Sequence, residues 1–315
     1  MNVTELRKRA RRRERVHRFE DFTVGQRFEH HWGRTLTEAD NTVMSTLTLA
    51  FNPVYFNRET ALATGHAGSV VNPMFLLMTT VGLSVEDLSE SGGAFLGIDE
   101  LTFHRPVLVG ETLTAVSTVL ATRRSDSRPG MGIVTWHTEG YVDGEPVIDF
   151  RRTNLIKAAD GEGNSAPPDG ELYFDDFVTG EVYEHARGKT VTDLDGVLLC
   201  NLAMNTASGH FDEESMKDTP FGQRIVFGGV TASLVIGLTM QDTAEHAVRE
   251  LTLDGLRFPS PVFHGDTLYA YTEVLSTKAD DDAAGVVCFR HWGVNQRDEI
   301  VLEAERTVLL NRRPA

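Results

Sequence analysis

Residues 19–40, FEDFTVGQRFEHHWGRTLTEAD, return 155 positions later as FDDFVTGEVYEHARGKTVTDLD. The shift superposes Phe22, Gly25, Gly33, Thr35, Thr37 and Asp40 on Phe177, Gly180, Gly188, Thr190, Thr192 and Asp195. It also pairs RPVLVGETL (105–113) with SPVFHGDTL (260–268), and a shift of 154 pairs DGEPVIDFRRTNLI (143–156) with RDEIVLEAERTVLL (297–310). No other feature constrains the fold as much, because both copies must satisfy one packing plan. Each copy is about 140 residues, an ordinary domain size. The 315 residues therefore read as a basic arm (1–18), a first repeat (19–157), a linker (158–172) and a second repeat (173–315). The linker, AADGEGNSAPPDGEL, is rich in Gly, Pro, Asp and Ala, which suits an exposed connection.

Both copies predict the same element order. A strand pair around a Gly turn comes first. A helix then follows a Thr cap, at Thr37 or Thr192. A loop leads to a long apolar helix, PMFLLMTTVGLSVEDL (73–88) or GVTASLVIGLTMQD (229–242), apolar almost all round and hence buried on most sides. Segments such as TLTAVSTVLAT and GIVTWHTEGYV alternate with period two and are rich in Val, Ile and Thr, which argues for antiparallel strands. The polar loops at 123–132 and 276–285 read as hairpin connections. The expected class is α+β, a double hot dog: two long buried helices, each wrapped by an antiparallel sheet of about five strands. The two sheets are expected to join edge to edge, as single units do between chains.

Charge narrows the partners. The net charge is −16, yet residues 1–18 carry eight basic and two acidic groups, leaving the remainder at −22. Only five of the 30 basic residues are Lys, at 8, 157, 189, 217 and 278. An acidic, lysine-poor body suits a salt-rich cytoplasm, where the Debye length falls to about 3 Å in molar salt and self-repulsion costs little. The arm RKRARRRERVHR (7–18) reads as a solvated, partly helical terminus on that body, not a nucleic-acid ligand, since it lacks interleaved aromatics and the body repels phosphates. No run approaches the roughly 18 to 20 apolar residues of a membrane helix, and the start has no apolar signal region. Cys200 and Cys288 are the two cysteines, which fits a reducing cytoplasm. No G-x-G-x-x-G or P-loop occurs, so no cofactor is expected. His30, His31 and His291, beside Trp32 and Trp292, read as packed strand residues and not as metal ligands.

The copies diverge at one loop. LAMNTASGHFDEES (202–215) has Asn205, His210 and Asp212 where LTLAFNPVYFNRET (47–60) has Ala50, Tyr55 and Asn57. FEDFTVGQ, GRTLTEAD/GKTVTDLD, PVLVGETL/PVFHGDTL and this loop together resemble the MaoC-like dehydratases, the R-specific type of enoyl-CoA hydratase. The resemblance spans Phe19 to Arg313. The family motif has an acidic residue, a histidine five positions on and an aspartate two further; here these are Asn205, His210 and Asp212. The resemblance also implies that the amide of Gly228, at the start of the second long helix, holds the thioester oxygen. The pairing of LxxN…HFD with GVNQRDEIVLEAERTVLLNRR looks most like the mesaconyl-CoA (2-methylfumaryl-CoA) hydratase branch. That branch interconverts mesaconyl-CoA and 3-methylmalyl-CoA and occurs in salt-loving archaea and in bacteria.

The chemistry matches the residues. Hydration of an enoyl thioester needs water activated at C3, a proton for C2 and stabilised charge on the thioester oxygen. One imidazole can move both protons, and a helix N-terminal amide suits the oxyanion. Asn205 replaces the family's Asp; an amide is no base, but it can orient water and donate to substrate. Asp212 or Asp195 is expected to orient the His210 ring. With Ala50 and Tyr55, the first repeat cannot run this step and is expected to shape the acyl pocket. A dicarboxylic acyl group would need a cation, with Arg58, Arg105, Arg257 and Arg290 as candidates. Cys200 reads as core. The alternatives are a straight-chain enoyl-CoA hydratase and a non-catalytic acyl-thioester binder. Thioester hydrolysis is disfavoured, because residues 231–240 and 74–83 of the long helices hold no carboxylate. The partner expected is an acyl-CoA, with no nucleic acid or membrane and with homo-oligomers compatible.

Overall fold

The computed structural model describes residues 2–159 and 169–314. They form two compact units: residues up to Glu14 together with those from Asp169 on, and residues from Arg15 to the end of the first repeat. Most of the expected linker, 160–168, lies outside the described residues.

The arm is built into the unit that carries the second repeat. Asn2 caps α1 (Val3–Arg9), and β1 (Arg11–Arg12) pairs in parallel with β7, whose residues are Val182–Thr190. Val3 and Leu6 are buried against Val182, Tyr271, Trp292 and Val294. Arg13 is 2% exposed and ion-pairs the buried Asp242 at 3.3 Å. Residues 7–18 are partly helical, as expected, but they are not wholly solvated: Arg13 and Arg15 are buried, and the helix that leads into them buries Val3 and Leu6.

The first-repeat unit opens on a 3₁₀ turn (Phe19–Asp21) and β2 (Arg27–Thr35), followed by α2 (Glu38–Leu47), α3 (Arg58–Ala63), α4 (Pro73–Leu83) and α5 (Val85–Ser89). Four strands complete it: β3 (Phe95–Phe103), β4 (Thr112–Arg124), β5 (Met131–Val142) and β6 (Glu145–Lys157). The order is β2-β4-β5-β6-β3, all antiparallel. In the second-repeat unit β7 is followed by α6 (Asp193–Leu202), α7 (Glu213–Met216) and α8 (Gly228–Thr243). Then come β8 (Ala247–Arg257), β9 (Thr267–Ala279), β10 (Ala284–Asn295) and β11 (Ile300–Asn311). Its order, β1-β7-β9-β10-β11-β8, repeats the other sheet with the arm strand added. Each unit is a hot dog, and the fold class is α+β, a double hot dog.

The opening of each repeat is not a strand pair. The first Phe of FEDF or FDDF lies in a 3₁₀ turn, and its ring rests on a strand glycine. A Cβ on Gly132 would lie 1.9 Å from the Phe19 ring, and one on Gly285 2.3 Å from the Phe174 ring. Both close approaches therefore require glycine. The long helices are buried on three sides through Phe75, Leu76 and Leu77 or Val230, Val235 and Ile236. They leave Met78 and Gly82, or the equivalent Ser233 and Gly237, exposed. The first long helix ends at Leu83, short of the expected 88, and the chain restarts as α5.

Equivalent bulges in β2 and β7 carry His30 and His185. His30 reaches Asp87 at 2.5 Å and Ser117 at 2.9 Å; His185 reaches Asp242 at 2.7 Å and Thr272 at 2.7 Å. Thr272 also bonds His291 at 2.8 Å, and burial pushes the His291 imidazole well below its ordinary pKa. Two buried arginines, Arg152 and Arg306, bond Ser84 at 2.8 Å and Thr243 at 3.0 Å, at the C-terminal ends of α4 and α8. Both copies thus pin the far end of the long helix, which fixes where its N-terminus points.

Candidate active site

The loop of interest hangs between α6 and α8 of the second-repeat unit. Thr192 caps α6: its hydroxyl accepts from the Asp195 amide at 3.2 Å, and Asp195 accepts from the Thr192 amide at 2.9 Å. Hydrogen bonds from Thr192, backed by Lys189 at 3.1 Å, pull the Asp195 carboxyl down to about 2. Asp195 is therefore committed to the cap. At the other end Met204 takes φ 54°, and the Asn205 amide donates to the Cys200 carbonyl at 3.0 Å, a Schellman-type stop. Leu49 (φ 59°) and Ala50 repeat it in the other unit, with the Ala50 amide on Ser45 at 2.8 Å. The left-handed residue is thus scaffold and not a feature of one site.

Asn205 Oδ1 accepts from the Ala207 amide at 3.0 Å, so one lone pair is spent on its own turn while the NH₂ stays available. Next comes a 3₁₀ turn, Ser208–His210. His210 is half-buried, and its Nδ1 lies 2.9 Å from the Ile225 carbonyl. A carbonyl only accepts, so Nδ1 carries the proton and the neutral ring presents a bare Nε2 lone pair. The Ile225 amide in turn donates to the Gly209 carbonyl at 3.1 Å. Asp212 does not orient this ring: it caps α7, accepting from the Ser215 amide at 3.1 Å. Asn57 caps α3 in the same way through Thr60 at 3.3 Å, so the aspartate position is a helix cap in both copies. The expected carboxylate orienter is replaced by a main-chain carbonyl.

Two residues after Ile225, the Phe227 ring lies tilted against the His210 ring with centroids 5.4 Å apart, and Gly228 opens α8. Phe227 makes no side-chain cap bond, which leaves the first amides of the 16-residue helix to a ligand or water. Phe258 packs over Gly228, where a Cβ would come within 3.2 Å. Imidazole and helix N-terminus therefore share one wall of one unit.

The first repeat has closed the same place, a change sequence reading missed although the VVNPM/IVFGG alignment of 70–74 with 225–229 holds it. Pro73 stands at the Gly228 position and has no N–H. Asn72 Oδ1 takes the next free amide, Met74, at 2.9 Å. Asn41 Nδ2 donates to the Val70 carbonyl, the counterpart of Ile225, at 2.9 Å.

The arginine candidates separate. Arg105 pairs Glu111 at 3.1 Å and Arg290 pairs Glu305 at 2.6 Å, so both are neutralised. Arg58 is exposed at the start of α3 in the first-repeat unit. Arg257 is exposed, donates to the Leu256 carbonyl at 2.9 Å, and precedes the Phe258 that covers Gly228. Cys200 is buried, as expected of a core residue. Among the described residues no group of three or more His, Cys, Asp or Glu could hold a metal, and no helix is long and apolar enough to cross a membrane.

Two hot-dog units, one of them with a loop imidazole near an uncapped helix N-terminus, fit a hydratase or dehydratase, the class named for the chain's curated relatives. The chain belongs to the mesaconyl-CoA hydratase family, whose model matches residues 2–171 and again 164–312. It is 37% identical to the mesaconyl-CoA hydratase of Haloarcula marismortui, over 96% of this chain and 93% of that protein. It is 26% identical to the β-methylmalyl-CoA dehydratase of Chloroflexus aurantiacus, over 94% and 97% of the two chains. Among solved structures, a putative MaoC domain protein dehydratase from Chloroflexus aurantiacus aligns with 95% of this chain and 98% of its own, at 24% identity and a TM-score of 0.45.

Proposed function

We propose that the chain reversibly hydrates an enoyl-CoA thioester, converting mesaconyl-CoA to 3-methylmalyl-CoA, with His210 as the acid–base group. The observation that carries this reading is the 2.9 Å bond from His210 Nδ1 to the Ile225 carbonyl, which leaves Nε2 as the free base. Nε2 takes a proton from water as the water oxygen bonds C3. The π electrons move toward the thioester oxygen, whose charge meets the Gly228 amide and the positive end of α8. The imidazolium then returns a proton to C2, so one water is added and the ring regains its starting form. Asn205 contributes its NH₂ as a donor to the water or the new hydroxyl. Arg257 is the cation we favour for the free carboxylate of the acyl group, because it adjoins the residue covering Gly228. The lysine-poor acidic body supports action at high salt in the cytoplasm.

The test is loss of enoyl-thioester absorbance in molar KCl, with mesaconyl-CoA and crotonyl-CoA side by side, for wild type and His210→Ala. We expect rapid loss of mesaconyl-CoA and a fall of at least about 100-fold in the variant, the scale of a lost general acid–base group. Preference for crotonyl-CoA would move the reading to a straight-chain hydratase. An unaffected variant would remove His210 from the mechanism, and no reaction with either substrate would favour the acyl-thioester binder.

A further inference from the structure

The atom that orients His210 belongs to Ile225, and the residue before it is Arg224. Arg224 Nε donates to Glu213 at 2.9 Å, and its NH2 nitrogen donates to Asp193 at 2.8 Å. Its own amide also donates to Glu213 at 3.3 Å. Glu213 is the first residue of α7, three beyond His210, and Asp193 is the first residue of α6, whose far end delivers Asn205. One guanidinium therefore joins three segments: the helix before the loop, the helix after the histidine, and the connection into α8 that supplies its hydrogen-bond acceptor. The fork geometry suits arginine, because two carboxylates are held at once in fixed directions.

The first repeat supplies a comparison within the chain. Ser69 stands at the Arg224 position and bonds Glu38, the counterpart of Asp193, at 3.1 Å. The counterpart of Glu213 is Arg58, with which an uncharged serine cannot form an ion pair. The link to the first helix is thus kept in both copies, whereas the charged link to the loop occurs only beside a histidine. A scaffold role alone would not need that difference.

We infer that Arg224 is a positioning residue for His210: with Glu213 it holds the loop against Ile225 and so fixes the imidazole in its Nδ1–H form. The Glu213 carboxyl is held below its ordinary range chiefly by its hydrogen bonds to Arg224, so the clamp is charged at neutral pH. Burial keeps the neighbouring His264 imidazole below its usual pKa, so it adds no competing cation there. The inference rests on the reading of His210 as the acid–base group, but its central readout needs no substrate.

The experiment compares wild type, Arg224→Ala, Arg224→Lys and Glu213→Gln. Ring-¹⁵N spectra of histidine-labelled protein, with the His210 signal assigned by its loss in His210→Ala, report the tautomer. Steady-state hydration across pH reports kcat, KM and the apparent acid–base pKa. The expected result is a wild-type His210 in the Nδ1–H form and a shift toward the Nε2–H form in Arg224→Ala. We expect kcat to fall up to about 100-fold, the cost of misplacing a reacting group by about 1 Å, with KM little changed. Arg224→Lys should restore part of both. Glu213 is exposed, so Glu213→Gln should fold and show the same tautomer shift more weakly, even if Arg224→Ala fails to fold. An unchanged His210 tautomer in Glu213→Gln, or an unchanged tautomer or wild-type kcat in a folded Arg224→Ala, overturns the inference. A tautomer shift in a protein that does not hydrate mesaconyl-CoA would sink the proposed substrate and leave the clamp standing.

Discussion

At the scale of the residue, Gly228 and Pro73 are one position in two chemical states. Both open a long helix, but only Gly228 can donate a hydrogen bond there. Proline is well tolerated at the first helical position, because that amide has no intrahelical acceptor. Gly228→Pro should therefore leave the fold intact while removing the proposed oxyanion donor. A proline also adds a Cβ, which would approach the Phe258 ring to 3.2 Å. Gly228→Ala adds the same carbon and keeps the N–H, so it isolates the steric part. We expect Gly228→Ala to lose less than about tenfold in kcat, and Gly228→Pro about 10²- to 10³-fold, the range seen when one oxyanion donor is removed. Equal losses in the two variants would mean that crowding by Phe258, not the lost amide, accounts for the effect. The same reasoning says that placing a histidine at Tyr55 creates no second site, since Asn41 already holds the Val70 carbonyl and Pro73 offers no donor.

At the scale of the element, the N-terminal arm shows what sequence reading caught and what it lost. Deleting residues 2–13 removes the buried Val3 and Leu6, each worth about 1.5–3 kcal/mol, and strips Arg13 from the buried Asp242. His185 still faces that carboxylate at 2.7 Å, which limits the damage. We expect the second-repeat unit to lose about 3–5 kcal/mol of stability, read as an earlier denaturant midpoint in truncated against full-length protein. No change would mean that the arm only rests on the surface. Eight basic residues in eighteen hid this, because charge density suggested solvation. The signal was Val3 and Leu6 at helical spacing, yet nothing in the sequence named the surface they would fill. The repeat made the helix starts legible, since Thr37 and Thr192 cap as expected, and it made the long strands legible through their alternation. It misled at FEDF, where the ring contact with Gly132 lies across the sheet and about a hundred residues away. The candidate His210 stood out by its register with Tyr55 of the first repeat. Its orienting partner did not, because that partner is a backbone carbonyl and every residue has one.

At the scale of the whole molecule, salt acts on two opposed sets of charges. The net charge is −16, and the chain beyond residue 18 holds 44 acidic and 22 basic groups. Raising KCl from 0.1 to 1 M shortens the Debye length from about 10 to about 3 Å, which removes most of that self-repulsion. It also weakens the exposed pairs that tie down the arm, Arg7–Asp298 at 2.6 Å, Arg9–Glu273 at 2.6 Å and Arg11–Asp169 at 2.8 Å. Exposed pairs of this kind are worth at most about 1 kcal/mol each, whereas excess like charge is spread over the whole body. Relief of repulsion should therefore win, and the thermal midpoint should rise steadily between 0.1 and 2 M KCl. The arm separates this explanation from a simpler one. If exposed ion pairs held it, the stability lost on deleting residues 2–13 would vanish at high salt. Because Leu6 is 1% exposed and Arg13 is 2% exposed, screening barely reaches the contacts that matter. The loss on truncation should persist at 2 M KCl, while the full-length protein is more stable there than at 0.1 M. A midpoint that falls with salt would overturn the argument from net charge, and a truncation penalty confined to low salt would overturn the argument that the arm is core.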